Sequence, residues 1–160
     1  MLNKTYIFLV GIPASGKTTY SKTNMPDGFV RFNRDDIREM LLPGHNARWY
    51  LAPDLKKKET GISAAFDVLK ARFNLIWDDN TNLNWHMLKD DIISLLAQNW
   101  DIKVIFLTDS EDFELCVERD LNRKRTVGKE VLEKFYKKYF NVKQNIEIFK
   151  KEIKIEIVFV

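Results

Sequence analysis

One segment constrains this chain more than any other: Gly11-Ile12-Pro13-Ala14-Ser15-Gly16-Lys17-Thr18 fits the spacing G-x-x-x-x-G-K-[ST]. Ahead of it, Tyr6-Ile7-Phe8-Leu9-Val10 is a short apolar run of the kind that forms a buried parallel strand. Behind it, Thr18-Thr19-Tyr20-Ser21-Lys22 can open a helix. A strand that passes through a glycine-rich loop into a helix N-terminus gathers unpaired backbone N–H groups around one point. Together with the positive end of the helix dipole, they make a site for the phosphates of a nucleoside triphosphate. Lys17 would reach the β- and γ-phosphates, and the Thr18 hydroxyl would sit on Mg²⁺. The plain alternative, a glycine loop in an ordinary turn, is set aside because spacing and flanking elements agree.

The rest of the sequence alternates apolar strands with amphipathic stretches, which predicts an α/β fold around a mostly parallel sheet. Strands are expected near 5–10, 28–32, 73–78, 102–107 and 153–159, with helices over 16–24, 34–42, 54–72, 84–99, 110–122 and 129–150. Pro26-Asp27-Gly28 and Pro43-Gly44 punctuate the pattern. Ile153-Lys154-Ile155-Glu156-Ile157 alternates as an edge strand with one wet face would. Five strands with the phosphate loop after the first suggest a doubly wound sheet whose ligands lie at the carboxyl ends of its strands. At 160 residues, with 45% hydrophobic and 31% charged residues, a single domain, 1–160, is expected. No apolar run reaches the roughly 18 residues of a bilayer span, and the first strand begins too soon for a signal peptide. The lone cysteine, Cys116, suits a reducing cytoplasm and the role of a small buried hydrophobe.

A phosphate loop does not choose among a kinase, a switch and a motor. The sequence has no Asn-Lys-x-Asp for guanine and no Asp-x-x-Gly switch, and it is short for a motor core, which leaves a small phosphotransferase. Such an enzyme needs a group to orient or deprotonate its acceptor, and positive charge for the phosphoryl group in flight. Val30-Arg31-Phe32 runs into Asn33-Arg34-Asp35-Asp36-Ile37-Arg38. Asn33 can cap the helix, and acidic residues in a first turn suit the dipole, which accounts for at least one of Asp35 and Asp36. Asp35 and Arg38, three apart, share a helix face and would present a general base and a clamp for the substrate's own phosphate. The cations would come from Arg119, Arg123 and Arg125 around the break at Thr126-Val127-Gly128, a helical lid spanning about 119–130. From spacing alone, a solvated basic helix end accounts for those arginines equally well.

These residues together resemble the kinase domain of the phage polynucleotide 5′-kinase/3′-phosphatase family. The likeness lies in Gly11-x-Pro13-x-Ser15-Gly16-Lys17-Thr18-Thr19, Asn33-Arg34-Asp35-Asp36-x-Arg38, Lys56-Lys57-Lys58-Glu59, Thr81-Asn82-Leu83-Asn84 and Arg119-x-x-Asn122-Arg123-x-Arg125. The resemblance implies a P-loop kinase-like three-layer fold with a helical lid, and transfer of the ATP γ-phosphate to the 5′-hydroxyl of single-stranded DNA or RNA in nucleic-acid end healing. It implies ATP and Mg²⁺ as cofactors, with Gly11, Pro13, Ala14, Ser15, Gly16, Lys17, Thr18 and Thr19 on the triphosphate and Thr18 on the metal. By it, Asp35 activates the hydroxyl and Arg38, Thr81 and Asn82 contact the acceptor. Arg123 is then the lid arginine on the transferring phosphate, supported by Arg119 and Arg125. The family's aspartate before Thr-Asn-Leu-Asn is Asn80 here, with Asp78 and Asp79 just upstream, so its role is left open or has moved to Asp79. The phosphatase signature Asp-x-Asp-Gly is missing, which predicts 5′ phosphorylation without 3′ dephosphorylation.

Trp49-Tyr50 would stack on a base or staple a helix, and Lys56 to Lys58 would track backbone phosphates or form a solvated face. Trp77, Trp85 and Trp100 read as packing residues, while His45 and His86 have no neighbours at metal spacing. Two other readings stay open: a kinase of a small metabolite or nucleotide, and a nucleotide-dependent binding or toxin-like module. The expected location is the cytoplasm, the host's if the source is viral, with no membrane partner and a monomeric or small homo-oligomeric state.

Overall fold

The computed structural model describes residues 4–41, 55–123 and 126–160, with side chains for all of these but 41, 55–59, 80 and 81. Five strands form one parallel sheet: β1 (Thr5–Val10), β2 (Phe29–Phe32), β3 (Asn74–Trp77), β4 (Asp101–Phe106) and β5 (Glu156–Phe159), in the order β2-β3-β1-β4-β5. Six α-helices are described with them: α1 (Lys17–Thr23), α2 (Arg34–Leu41), α3 (Leu55–Arg72), α4 (Trp85–Leu96), α5 (Phe113–Leu121) and α6 (Lys129–Phe149).

β1 is central because both of its faces are apolar. Tyr6, Phe8 and Val10 join Phe32, Trp77, Val104 and Phe106 on one face, under Ile62 of α3, Leu88 and Ile92 of α4 and Tyr139, Val142 and Ile146 of α6. Ile7 and Leu9 join Ile76, Ile105 and Leu107 on the other, where Tyr20 of α1 packs. Helices therefore cover both sides, in the three-layer, P-loop kinase-like arrangement. Side chains as large as Phe8 and Phe32 are fully buried, each contributing about 1.5–3 kcal/mol. Tyr6 sits in an aromatic cluster with Phe8, Phe66, Trp77 and Trp100. Trp77 and Trp100 are thus packing residues, and Trp85 packs edge-on against Phe149.

Chain order reverses at β1: β2 and β3 lie to one side of it, β4 and β5 to the other. The crevice outside the carboxyl ends of the strands opens there, where the phosphate loop leaves β1. Three details depart from the pattern in the sequence. Pairing of β5 starts at Glu156, opposite Lys103, while Ile153 and Ile155 approach the core from the preceding turn. The segment expected as one helix from 110 is a 3₁₀ turn, Thr108–Glu111, followed by α5. Asp112 forces that break, accepting from the Leu115 N–H at 3.0 Å as an N-cap. A second 3₁₀ turn, Asn80–Leu83, fills the connection after β3. No helix among the described residues is long and apolar enough to cross a membrane. Pro43-Gly44, His45 and Trp49-Tyr50 lie outside the described residues, as do the side chains of Lys56 to Lys58.

Candidate active site

The loop after β1 is built around two glycines. At Gly11, a Cβ would lie 2.5 Å from Ser15 Oγ, 3.0 Å from Ser110 Oγ and 3.2 Å from Leu107 Cβ, so a side chain there would make its neighbours shift. Gly16 enters α1 with φ 90°, a left-handed conformation open to glycine at little cost. Ala14 is also left-handed, with φ 67°, a strain of about 1–2 kcal/mol for an L-residue. The loop is tied to the β4 side of the sheet where Ile12 N–H donates to the buried Ser110 Oγ at 3.1 Å.

Lys17 is 8% exposed and curls over the loop, donating from Nζ to Gly11 O at 2.6 Å and Ile12 O at 2.9 Å. Burial lowers its pKa from 10.5 to about 8; Asp78 and Asp79 oppose the shift and Arg123 adds to it. Ser15 Oγ is buried with no hydrogen-bond partner. An orphaned hydroxyl, a tight glycine cradle and a desolvated ammonium in one loop suit an incoming polyanion, and the chemistry of these donors fits a triphosphate.

A cleft of about 840 Å³ opens over this loop. Its walls bring together the loop residues Pro13 to Thr19, Asn33 and Asp35, Asp78 and Asp79, and Asp109, Arg119 and Arg123. Asn33 caps α2, its Oδ1 accepting from Asp36 N–H at 3.0 Å while its Nδ2 donates to Asp78 O. Asp35 projects from the first turn of α2 and is exposed. Arg38 is not among the described residues lining the cleft; its Nη1 donates to Asp35 Oδ1 at 3.0 Å. Asp36 is paired with Arg31 and is thus a structural residue.

The acidic pair after β3 divides its work. Asp78 is 1% exposed, and its Oδ2 accepts from Arg31 Nη2 at 2.7 Å, Arg31 Nε at 3.0 Å and Ser21 Oγ at 3.1 Å, which locks β2 and α1 to the end of β3. Asp79 lines the cleft. Asn82 is 2% exposed, and its Nδ2 donates to Leu9 O at 2.9 Å and Trp77 O at 3.1 Å, stitching the ends of β1 and β3 rather than reaching into the cleft. The side chain of Thr81 lies outside the described residues, and so does Arg125.

On the opposite wall, Arg119 of α5 donates to Asp109 Oδ2 at 2.6 Å, and Arg123 Nη1 stands 3.5 Å from Asp120 Oδ1. Both arginine side chains keep more than two-fifths of their surface exposed, so each can swing to a ligand. Cys116 is buried behind them, and burial pushes its thiol up to about 11, leaving it unreactive at neutral pH. Among the described residues, no group of three or more His, Cys, Asp or Glu side chains could hold a metal ion. Sequence reasoning missed Arg31 and Asp120. An arginine inside the apolar strand Phe29–Phe32 is a signal of a buried charge pair; Asp120, inside a charged helix, carries none.

The sequence matches the model of the AAA domain family over residues 7–141. In fold it is similar to a chain in the structure of the Pnkp1/Rnl/Hen1 RNA repair complex, with a TM-score of 0.68 and 25% identity over 91% of this chain and 47% of that one. A second Pnkp1/Rnl/Hen1 structure matches with a TM-score of 0.53 and 26% identity over 80% of this chain and 41% of that one. The chain thus spans about half the length of the repair-complex chains that it resembles. Deoxyadenosine kinase from M. mycoides, solved with bound dATP, shares the fold at 17% identity and a TM-score of 0.50, over 98% of this chain and 90% of that one. No curated protein matches the sequence. The matched span runs from the first strand through the phosphate loop and both arginines to α6, and on that match the chain belongs to the AAA domain family, in its P-loop kinase-like form.

Proposed function

We propose that the protein transfers the γ-phosphate of ATP to the 5′-hydroxyl of a polynucleotide. What supports this most is the convergence on one cleft of a phosphate loop, an exposed carboxylate on the acceptor side and two half-exposed arginines on the other. The similarity to a chain of an RNA repair complex, at 25% identity, favours a polynucleotide over a small acceptor.

In this reading the loop from Gly11 to Thr19 wraps the triphosphate, and Lys17 leaves the carbonyls of Gly11 and Ile12 for the β- and γ-phosphates. The Ser15 hydroxyl gains the partner that it lacks. The Thr18 hydroxyl would hold Mg²⁺, with Asp79 on the same wall, and the bound ion would supply positive charge against the phosphates. Asp35 accepts the proton of the acceptor hydroxyl. The freed oxygen then bonds to the γ-phosphorus as the bond to the β-phosphate oxygen breaks, and ADP leaves with that electron pair. Arg38 fixes Asp35 through its Nη1 and, by the sequence resemblance, would serve the phosphate next to the acceptor nucleoside. Arg123 meets the transferring group, and Arg119 exchanges Asp109 for a phosphate oxygen. By the sequence resemblance Thr81 would contact the acceptor and Arg125 would support Arg123; Asn82 holds β1 and β3 in register.

Transfer is tested with Asp35→Ala and Arg123→Ala, each expected to lower turnover on a 5′-hydroxyl oligonucleotide by about 10²-fold or more. Near-normal turnover in either variant would remove that residue from its role.

A further inference from the structure

Asp120 lies near the end of α5 and is 1% exposed, although it carries a carboxylate. A buried charge survives only where donors surround it. Here those donors all follow α5 in the chain. Val127 N–H reaches Oδ1 at 3.2 Å and Oδ2 at 3.0 Å, and Gly128 N–H reaches Oδ2 at 3.0 Å. Gly128 is the residue before α6, with φ 89° and ψ 152°, so the carboxylate also faces the positive end of a 21-residue helix. Arg123 N–H donates to Asp120 O at 3.1 Å, and the Arg123 guanidinium stands 3.5 Å from Oδ1. That last separation is long for a hydrogen bond. It aligns the guanidinium without consuming it, and leaves it available to a phosphate.

We propose that Asp120 is a positioning residue: its buried carboxylate pins Val127 and Gly128, at the start of α6, to the end of α5 and thereby holds Arg123 on the wall that it shares with the phosphate loop. The inference rests on the reading of Arg123 as the arginine that meets the transferring phosphate. Arg123 is already close enough to the loop to help lower the proton affinity of Lys17. Three hydrogen bonds from two consecutive backbone N–H groups tie Val127 and Gly128 to Asp120 at the end of α5, the same residue that Arg123 stands against, so this side of the wall is fixed before any nucleotide arrives. Asp109 does the looser version of the same job for Arg119, through a single exposed ion pair.

The test is a double-mutant cycle of Asp120→Asn and Arg123→Ala, read on the affinity for ADP with aluminium fluoride, a mimic of the phosphoryl group in flight that needs no acceptor. Asp120→Asn keeps the shape of the side chain and, with its amide oxygen in the Oδ2 position, the two 3.0 Å bonds from Val127 and Gly128, while it removes the charge. With Arg123 present it is expected to weaken the mimic about tenfold while the affinity for ADP alone moves less than about twofold; without Arg123 the further loss is expected to be under about twofold. In parallel, amide exchange at Val127 and Gly128 is expected to speed up at least about tenfold in Asp120→Ala. Losses that multiply, equal losses for ADP and its fluoride complex, failure of the parent chain to bind the mimic, or unchanged exchange would each overturn the proposal. Transfer to an acceptor other than a polynucleotide would overturn the proposed reaction alone, because nothing in this cycle depends on the acceptor.

Discussion

Lys17 carries the sharpest consequence of the loop's construction. Its pKa is lowered to about 8 by burial, whereas the unfolded chain keeps 10.5. Between those values the unfolded chain binds more protons, so the stability of the nucleotide-free protein rises with pH across that window, by up to about 3 kcal/mol, and is flat below it. A bound polyphosphate reverses this by restoring the charge. ATP affinity is therefore expected to fall as pH climbs above about 8, and to do so less in Lys17→Met, whose affinity is lower throughout. Titration of ATP binding from pH 7 to 9.5 checks it, and a flat profile in the parent would contradict the buried ammonium. Two neighbours test the loop's shape. Ala14→Gly relieves a left-handed alanine and is expected to raise thermal stability by up to about 1 kcal/mol, a few degrees in Tm. Gly11→Ala drives a methyl against Ser15 and Ser110 and is expected to cost about 1–3 kcal/mol.

Elements are joined here by a few polar side chains that no local pattern announces. Asn82 bridges β1 and β3 across 73 positions, and Arg31 bridges β2 to Asp78 across 47. Asn82→Ala takes one donor from each of two carbonyls and is expected to cost about 2 kcal/mol, measurable by urea denaturation with little change in slope. The continuous apolar run of β1, the glycine spacing and the capping role of Asn33 are local features, which is why the first strand, the loop and the start of α2 can be read from residue order. The 3₁₀ turn ahead of α5 is hidden in the sequence because Asp112 looks like any acid inside a helical run until its carboxylate is seen on the Leu115 N–H. Asn82 belongs to a segment whose resemblance implies a substrate contact, and its Nδ2 donates to Leu9 O and Trp77 O inside the sheet. Residue type and motif locate the region; only packing tells the two roles apart.

At the scale of the whole molecule, the reversal of strand order at β1 places the phosphate loop, the start of α2 and the end of α5 around one cleft. The architecture explains why Asp35 and Arg123, nearly ninety positions apart in the sequence, line the same space. A ligand that bridges those walls should stabilise the whole fold. Near-saturating ATP with Mg²⁺, at about 100 times its dissociation constant, is expected to add about 2.7 kcal/mol, a rise of roughly 5–10 °C in Tm. Lys17→Met should abolish most of that rise at the same ATP concentration.

Phosphoryl transfer to a 5′-hydroxyl is open to a single experiment. Labelled γ-phosphate of ATP is offered with Mg²⁺ to a single-stranded oligonucleotide bearing a 5′-hydroxyl, and in parallel to the same oligonucleotide already 5′-phosphorylated. Label on the first alone, lost in Asp35→Ala, is the predicted result. Bound ATP with no label on either strand would contradict the account and turn the search to small acceptors.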